Sequence, residues 1–294
     1  MSQQRTRTRA QGRPREGEVR GPVGAPVPRV EDERLLRGEG QFVDDIRVDG
    51  ALHARFVRSP FAYADIVSID TTAAAAAPGV VGVFTGEDLA LPRITPPLTT
   101  PGVLELGRQV LPTDAVRYSG EPFAVVVAAT AYQAEDAAEL VDAVLEERQP
   151  VLDPELAAQP DAPQIHDIGS NVVFERVSSS GDVDAAFAAA PLRVERVFHC
   201  ARCAALPMET RGILAQPDGD GLRVHVSSQI PHRVRTVLAQ ILGMEEEAVA
   251  VVAADIGGSF GQKGHVYPED VAVAWLAKTL ARPVKFVEDR LENL

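Results

Sequence analysis

The sequence predicts an α+β protein built from two regions of mixed strands and helices. Short apolar runs, alternating or rich in valine and bounded by glycine or proline, indicate strands. Longer segments with apolar residues three and four positions apart begin with capping signals and indicate helices. A proline-rich stretch at residues 148–168 predicts a linker between the two regions, and 294 residues are enough for two ordinary domains.

The first region, residues 34–147, is predicted to be a compact α/β domain. The predicted strands are Leu52–Val57, Ile66–Ile69, Val80–Phe84 and Phe123–Ala129, with a short helix at Thr71–Ala77 and a long loop at Leu91–Leu106. Thr130 predicts a helix cap, with Gln133 at the reciprocal position of a capping box. Apolar residues at helical spacing predict that this helix runs through Ala134, Ala137, Leu140, Val141 and Val144.

The second region, residues 169–294, is predicted to be rich in strands at its start. These strands are Asn171–Val177, Leu192–His199 and a hairpin of Arg211–Gln216 with Leu222–Ser227. A helix from Pro231 to Ile241, ended by Gly243, a strand, a glycine-rich loop, a helix at Pro268–Leu280 and a strand from Val284 follow. The sequence stops at Leu294 with no terminal helix or polar tail, which suggests a fragment or a subunit completed by another chain.

The charge and hydropathy of the chain exclude several classes of protein. A formal charge of −13 argues against binding nucleic acid or anionic membranes, no apolar run is long enough for a membrane span, and no signal peptide begins the chain. The first 30 residues differ, because they hold seven arginines against Glu16 and Glu18 and almost no large apolar residues. We therefore expect a disordered basic leader at residues 1–33, with an arm for an acidic partner as the alternative.

The two cysteines, Cys200 and Cys203, form a C-x-x-C pair that could suggest a metal site. A structural zinc site normally needs four ligands, and the sequence has no second pair. We expect two small buried residues on a strand, with metal binding as a remote alternative. The low cysteine content is typical of a cytoplasmic protein.

The most informative stretch is Val249–Lys263, in which a predicted buried strand opens into a glycine-rich turn. Glycines let backbone N–H groups approach a ligand closely, so the turn is a candidate cradle for an anionic or oxo group. A dinucleotide fingerprint is excluded because Ile256 takes the place of its first glycine, and a P-loop is excluded because Gly264 follows Lys263. A tight turn without a ligand is the alternative.

Two other segments carry candidate polar groups. Gln229 follows Ser227 and Ser228 at the end of a predicted strand, and its amide can donate two hydrogen bonds and accept two, which suits an oxo ligand or polar cofactor. A bond to loop backbone is the alternative use of that amide. Glu209 and Arg211 lie two positions apart, which on a strand places both on one face as an ordinary ion pair.

Taken together, these segments resemble the molybdenum hydroxylase family, in its large molybdopterin-binding subunit. This family includes enzymes of the xanthine dehydrogenase, aldehyde oxidase and aerobic carbon monoxide dehydrogenase types. The similar passages run in family order from Leu36 to Leu294 and are GEGQFVDDIRVDGALHARFVRSPFAYADI, PGVVGVFTGEDL, VRYSGEPFAVVVA, AEDAAELV, PMETRG, SSQIPHRVRTVLAQILG, DIGGSFGQK and HVYPEDVAVAWLAKTLARPVKFVEDRLENL. The resemblance implies an α/β hammerhead domain at residues 34–147 and the first part of a mixed α/β molybdenum-cofactor domain at residues 169–294.

The resemblance also implies which residues face the cofactor. Gln229 matches the glutamine whose amide hydrogen-bonds an oxo group on molybdenum, and Phe260 and Gly261 match the loop whose backbone approaches the metal centre. Gly257 and Gly258 match the glycines that let that loop come close. None of these residues coordinates molybdenum, because in the family the pterin dithiolene holds the metal.

Two positions depart from the family pattern. Ser259 stands where glycine is common, which adds a side chain expected to press toward the cofactor. Gly264 stands where purine-oxidising members carry a substrate-binding glutamate, which counts against a purine substrate. The catalytic glutamate of the family belongs to a C-terminal half absent from this sequence, so no catalytic residue is assigned.

The sequence thus predicts the N-terminal part of a molybdenum hydroxylase large subunit, split or truncated, that is inactive without its C-terminal half. Its reaction would be oxidative hydroxylation of an aldehyde, an N-heterocycle or a CO-like substrate. The cofactor would be molybdenum–molybdopterin, or its cytosine dinucleotide form, with FAD on a medium subunit and [2Fe–2S] clusters on a small subunit. The alternative is a non-catalytic assembly or docking module, or a truncated remnant of such a subunit.

Overall fold

The computed structural model describes residues 25–95, 103–104 and 106–294 of the chain. Most of the predicted leader, and the centre of the predicted loop at Leu91–Leu106, lie outside the described residues. Residues up to Gly40 form a unit of their own, in which a short helix α1 covers Asp32–Leu36. The remaining residues, 41–294, form a second unit that contains all the strands described below.

Six strands and three short helices are found among the described residues in the first half of this unit. In chain order they are β1 (Leu52–Arg58), β2 (Ala64–Asp70), α2 (Thr72–Ala75), β3 (Val80–Thr85), α3 (Gly86–Leu89), β4 (Ala115–Val116), β5 (Pro122–Ala128), α4 (Ala131–Ala138) and β6 (Asp142–Glu147). The four strands predicted here are confirmed. The Thr130 cap is also confirmed, because its hydroxyl accepts the Gln133 N–H.

The second half holds four strands and four longer or capped helices, together with the short helix α5. In chain order they are α5 (Pro154–Ala157), α6 (Val183–Ala189), β7 (Gly212–Asp218), β8 (Gly221–Val226), α7 (Pro231–Leu242), β9 (Val249–Val252), α8 (Pro268–Leu280), β10 (Val284–Val287) and α9 (Arg290–Asn293). The hairpin and the helices starting at Pro231 and Pro268 are confirmed. Gly243 ends α7 in the left-handed conformation, with φ of 61°.

A seven-stranded sheet joins the two halves, in the order β3-β5-β1-β10-β7-β8-β9. The joint is a parallel pairing of β1 with β10, in which Leu52 lies opposite Val284 and His53 opposite Lys285. Helix α4 packs on β1 and β5, α8 packs on β7 and β10, and α7 packs on β9. One hydrophobic cluster therefore contains residues of both halves, among them Phe56 and Phe286, whose rings meet edge to face at 4.9 Å. The predicted boundaries at 147 and 169 stay predictions.

The second sheet shows where the predicted helix after Thr130 was wrong. Helix α4 ends at Ala138, and Asp142–Glu147 instead forms β6 in a three-stranded sheet ordered β4-β2-β6. Val144 lies opposite Ser68 in this sheet and is exposed rather than on a helix face. Ala143 and Leu145 pack against a small apolar cluster around Phe123. The apolar residues of this segment fit both the helical period and the strand period, and it forms a strand because it pairs with β2.

The two strands predicted at Asn171–Val177 and Leu192–His199 are absent from the described part of the chain. These segments are irregular, their large apolar side chains are mostly exposed, and the one regular element between them is the helix α6. A strand is stable only when its backbone groups have a partner strand, and no described strand lies beside them. Cys200 and Cys203 consequently are exposed free thiols, which corrects the expectation that they are buried on a strand.

Three smaller findings complete the fold. The chain ends in a one-turn helix, α9, capped by Asp289, so the expectation of no terminal helix was wrong. The strand before the glycine loop, β9, lies at the edge of the large sheet and only Val249 is fully buried in it. In the described residues, no helix has both the length and the apolar character that a membrane crossing requires.

Candidate functional site

The glycine-rich loop lies between β9 and α8 and has an unusual backbone. Gly258 and Gly261 have φ of 94° and 93°, and Phe260 between them has φ of 53°. Positive φ is rare and costly for a residue with a side chain, so the loop is held in a strained conformation at Phe260. The phenyl ring is exposed, so its own packing does not cause the strain.

The strained loop presents a row of free donors. Among the described residues, none accepts a hydrogen bond from the backbone N–H groups of Gly258, Ser259, Phe260 or Gly261. Successive backbone N–H groups in a turn can form a concavity that binds anions and other electron-rich groups. A Cβ added at Gly261 would meet no atom within 4 Å, so that face of the loop is open. The predicted cradle is therefore available for a ligand.

Gln229 lies beside this loop, as the sequence analysis expected. Its backbone N–H donates to the Lys263 carbonyl at 2.9 Å, while its side chain is exposed and no described residue receives a hydrogen bond from that amide. A Cβ added at Gly264 would lie 3.5 Å from Oε1 of Gln229. The structure therefore brings Gln229 to the C-terminal end of the loop and leaves its amide free.

The partner of Glu209 is the main feature that the sequence analysis missed. Glu209 does not pair with Arg211; its Oε2 instead lies 2.8 Å from Nζ of Lys263. The same oxygen accepts hydrogen bonds from the Gly257 N–H and the Ser227 hydroxyl, each at 2.8 Å. The predicted ordinary pair was wrong because residues 208–211 are not in a strand, so the two side chains point apart. No local signal in the sequence marks the contact, since the partners are 54 positions apart.

Gly257 and Ser259 fit closely around this contact. A Cβ at Gly257 would collide with Cβ of Glu209, so only glycine allows the loop to lie this near. Ser259 turns its hydroxyl into the loop, where it accepts the Lys263 N–H at 3.1 Å. This hydrogen bond stabilises the turn, and the expectation that the side chain presses toward the cofactor stays a prediction.

Arg211 belongs to a second, buried ion network next to the loop. Its guanidinium pairs with Glu288 at 2.6 Å and Glu269 at 3.3 Å, and it stacks on the Tyr267 ring at 3.8 Å. Arg58 of β1 also pairs with Glu269 at 2.8 Å. The network thus joins both halves of the large sheet by charge as well as by backbone pairing.

The environment of this network shifts two acidic pKa values in opposite directions. Burial alone would raise the pKa of Glu269, but Arg211 and Arg58 more than offset it and lower the pKa to about 2. Burial raises the pKa of Asp270 to about 6, because the Tyr267 N–H and Arg211 offset only part of the effect and two nearby carboxylates add to it. Glu269 is therefore an ionised structural group, and Asp270 holds its proton more tightly than a free aspartic acid.

A cavity of about 560 Å³ is lined by the network and by Gln262, which follows the loop. Two buried polar atoms have no hydrogen-bond partner among the described residues: Nη2 of Arg58 and Oε1 of Gln262. Both residues line this cavity. Buried polar atoms without partners are rare in proteins and mark places where a polar group is still to be bound. The cavity can therefore take a ligand that both donates and accepts hydrogen bonds.

Two family models match the chain and together cover most of it. Residues 37–149 match the α/β hammerhead domain of aldehyde oxidase and xanthine dehydrogenase, and residues 165–294 match the molybdopterin cofactor-binding domain. The nicotine 6-hydroxylase large subunit of Paenarthrobacter nicotinovorans is 45% identical over 94% of this chain and 34% of its own length. The carbon monoxide dehydrogenase large chain of Hydrogenophaga pseudoflava is 38% identical over 90% of this chain and 34% of its own.

A solved structure agrees with these matches. Quinoline 2-oxidoreductase from Pseudomonas putida 86 superimposes with a TM-score of 0.85 and 39% identity, covering 91% of this chain and 34% of the other. The chain belongs to the molybdenum hydroxylase family and contains its hammerhead domain and part of its molybdopterin-binding domain. It spans about a third of the length of the relatives it matches. The resemblance and the fold class inferred from the sequence are confirmed.

Proposed function

We propose that the chain is the N-terminal part of the large subunit of a molybdenum-cofactor-dependent hydroxylase. The observation that carries this proposal is the row of four free N–H groups at residues 258–261, next to the free amide of Gln229. The class of reaction would be oxidative hydroxylation of an aldehyde, an N-heterocycle or a CO-like substrate. Relatives named as nicotine 6-hydroxylase and carbon monoxide dehydrogenase support that range.

The residues present fit a molybdenum–molybdopterin group. In the proposed arrangement the Gln229 amide and the N–H groups of Phe260 and Gly261 hydrogen-bond the electron-rich oxygens around the metal, while Gly257 and Gly258 permit the close approach. The bound group would supply the redox-active metal that accepts electrons from the substrate. This part of the chain binds and orients, and no described residue is proposed as the catalytic base.

The complete enzyme would need further parts. We propose that the remaining cofactor contacts come from the C-terminal half of the large subunit, and that electrons leave through [2Fe–2S] clusters on a small subunit and FAD on a medium subunit. A relative named as the gamma subunit of a dehydrogenase complex supports a multi-subunit assembly. We also propose a cytoplasmic location, which the low cysteine content of the chain supports.

The test is to compare the chain alone with the complex in which it occurs. We expect molybdenum to co-purify with the complex in near-equal molar amount, and the chain alone to bind no molybdenum cofactor tightly and to reduce no dye with substrate. In the complex, Gln229→Ala should lower activity about tenfold or more, as expected when one preorganised hydrogen-bond donor is removed. Substrate-dependent dye reduction by the chain alone would contradict the proposal.

The second candidate function is a non-catalytic docking module, and the exposed apolar side chains between residues 171 and 206 favour it. Large apolar groups left in water usually mark a contact surface. A pull-down followed by metal analysis separates the two functions, because a docking module predicts a complex without molybdenum. If the complex contains molybdenum and the Gln229→Ala variant loses it, the docking module is excluded.

A further inference from the structure

A buried ion pair lies beneath the strained loop that is proposed to bind the cofactor. Lys263 is the largest side chain that is almost fully buried, at 1% exposure, and its charge lies against the carboxylate of Glu209. A buried charge is retained only when a partner and hydrogen bonds compensate the loss of water. Burial lowers the pKa of Lys263, and Glu209 offsets part of that effect. Because the pair is costly to bury, its role lies in the backbone segments that it connects.

The pair connects three segments of the site: the segment around Glu209, the strand end at residues 227–229 and the glycine loop at residues 257–263. Through Glu209 it reaches the start of the loop at the Gly257 N–H and the strand end at the Ser227 hydroxyl. Through the backbone of Lys263 it reaches Ser259, whose hydroxyl accepts the Lys263 N–H, and Gln229, whose N–H donates to the Lys263 carbonyl at 2.9 Å. Both ends of the loop and the Gln229 backbone are thus tied to one ion pair.

We propose that Glu209 and Lys263 are positioning residues that clamp the glycine loop against Gln229, so that its free N–H groups and the Gln229 amide face one ligand. Neither residue contacts the ligand; each acts through the backbone that it holds. The assignment of that ligand rests on the proposed function above, whereas the clamp itself rests on the contacts just described.

The clamp can be tested by hydrogen exchange in the complex as it occurs. Glu209→Gln keeps the size and the carbonyl acceptor but removes the charge, and Lys263→Met removes the opposite charge. Both should speed exchange of the hydrogen-bonded N–H groups of the loop, those of Gly257 and residues 262–264, by about tenfold or more, because a lost buried contact lowers the free energy of local opening. Exchange in the β7–β8 hairpin should not change. Asp218→Asn, which breaks an exposed pair with Arg223 in that hairpin, is the matched control.

Two further variants separate a charged clamp from simple packing. Glu209→Asp keeps the charge and should retain more protection of the loop than Glu209→Gln, whereas packing alone predicts the reverse because glutamine matches glutamate in size. The Glu209→Gln, Lys263→Met double variant should lose no more protection than either single variant, since each single change leaves the partner's charge buried and unpaired. Unchanged exchange in the loop, a better result for Gln than for Asp, or a rise throughout the protein would each overturn the clamp.

Molybdenum content gives a separate readout. If both proposals hold, the molybdenum-to-protein ratio of the complex should fall at least about threefold in Glu209→Gln and not in Asp218→Asn, in proportion to the protection lost by the loop. The parent complex could prove to contain no molybdenum while the clamp variants still speed exchange in the loop. That result would support the clamp and contradict the proposed function. A normal molybdenum ratio with unchanged loop exchange would contradict the clamp alone.

Discussion

The tripeptide Leu-Arg-Val occurs twice in the second half of the chain, and its two copies lie in opposite environments. In β8, Leu222 and Val224 are 1% and 0% exposed, between a paired strand on each side. In the irregular segment after α6, Leu192 and Val194 are 78% and 70% exposed. The local pattern predicts a strand in both places, and only the copy with partner strands forms one. Pairing, rather than alternation, decides the structure here.

The largest expected effect on stability comes from removing the charge of a buried arginine, compared with that of an exposed one. Arg211→Met should lower the free energy of unfolding by about 3–5 kcal/mol, because Glu269 and Glu288 would keep buried charges without their main partner. The matched change Arg193→Met, in the exposed copy, should alter it by less than about 0.5 kcal/mol. Urea unfolding of both variants measures the difference. Equal effects would mean that the exposed segment is as well packed as the sheet.

The second effect compares the two leucines directly. Leu222→Ala should cost about 2–5 kcal/mol, because it removes a fully buried side chain and leaves a cavity in the main core. Leu192→Ala should lie within about 0.5 kcal/mol of the parent. If Leu192→Ala lowers the stability of the complete complex, a partner subunit covers the exposed Leu-Arg-Val segment in that complex. Thermal unfolding with and without the other subunits distinguishes these outcomes.

The smallest effect is a dependence of stability on pH that comes from two acids of the buried region. Asp270 has its pKa raised to about 6 in the fold, so the folded state binds a proton first and stability rises as pH falls from about 6 to about 4. Glu269 has its pKa lowered to about 2, so its contribution is lost as pH falls from about 4.5 toward 2. Each amounts to at most about 3 kcal/mol.

Asp270→Asn isolates the first of these two contributions. The parent should gain stability relative to the variant as pH falls from about 7 to about 4, as followed by urea unfolding at each pH. A constant difference between the two proteins across that range would show that Asp270 has the same proton affinity in the folded and unfolded chain.

Sequence patterns predict best where the controlling interaction is local. Thr130, Pro231, Gly243 and Pro268 each mark a helix end through a cap, a missing N–H or a left-handed residue within one turn, and each boundary is confirmed. The hairpin turn between β7 and β8 is likewise short and rich in glycine and aspartate. These signals depend on neighbours along the chain, so they can be interpreted without knowing the fold.

Prediction fails where the partner is distant. The period at Val144 fits a helix, and the segment is a strand because it pairs with β2, which lies more than 70 positions earlier in the chain. The contact between Glu209 and Lys263 spans 54 positions and has no counterpart in spacing. Of the candidate site, the loop and Gln229 were therefore found, while the pair that joins them was not. The roles assigned to Gln229, Phe260 and Gly261 stay predictions.

The pairing of β1 with β10 has a consequence for synthesis of the protein. Leu52 leaves the ribosome about 230 residues before Val284, its partner in the sheet. At roughly 5–20 residues per second, that edge of β1 waits on the order of ten seconds or more for its neighbour. An unpaired strand edge is a template for wrong pairing. The nascent chain should accordingly depend on a chaperone during this interval, and slower translation should increase its loss to aggregation.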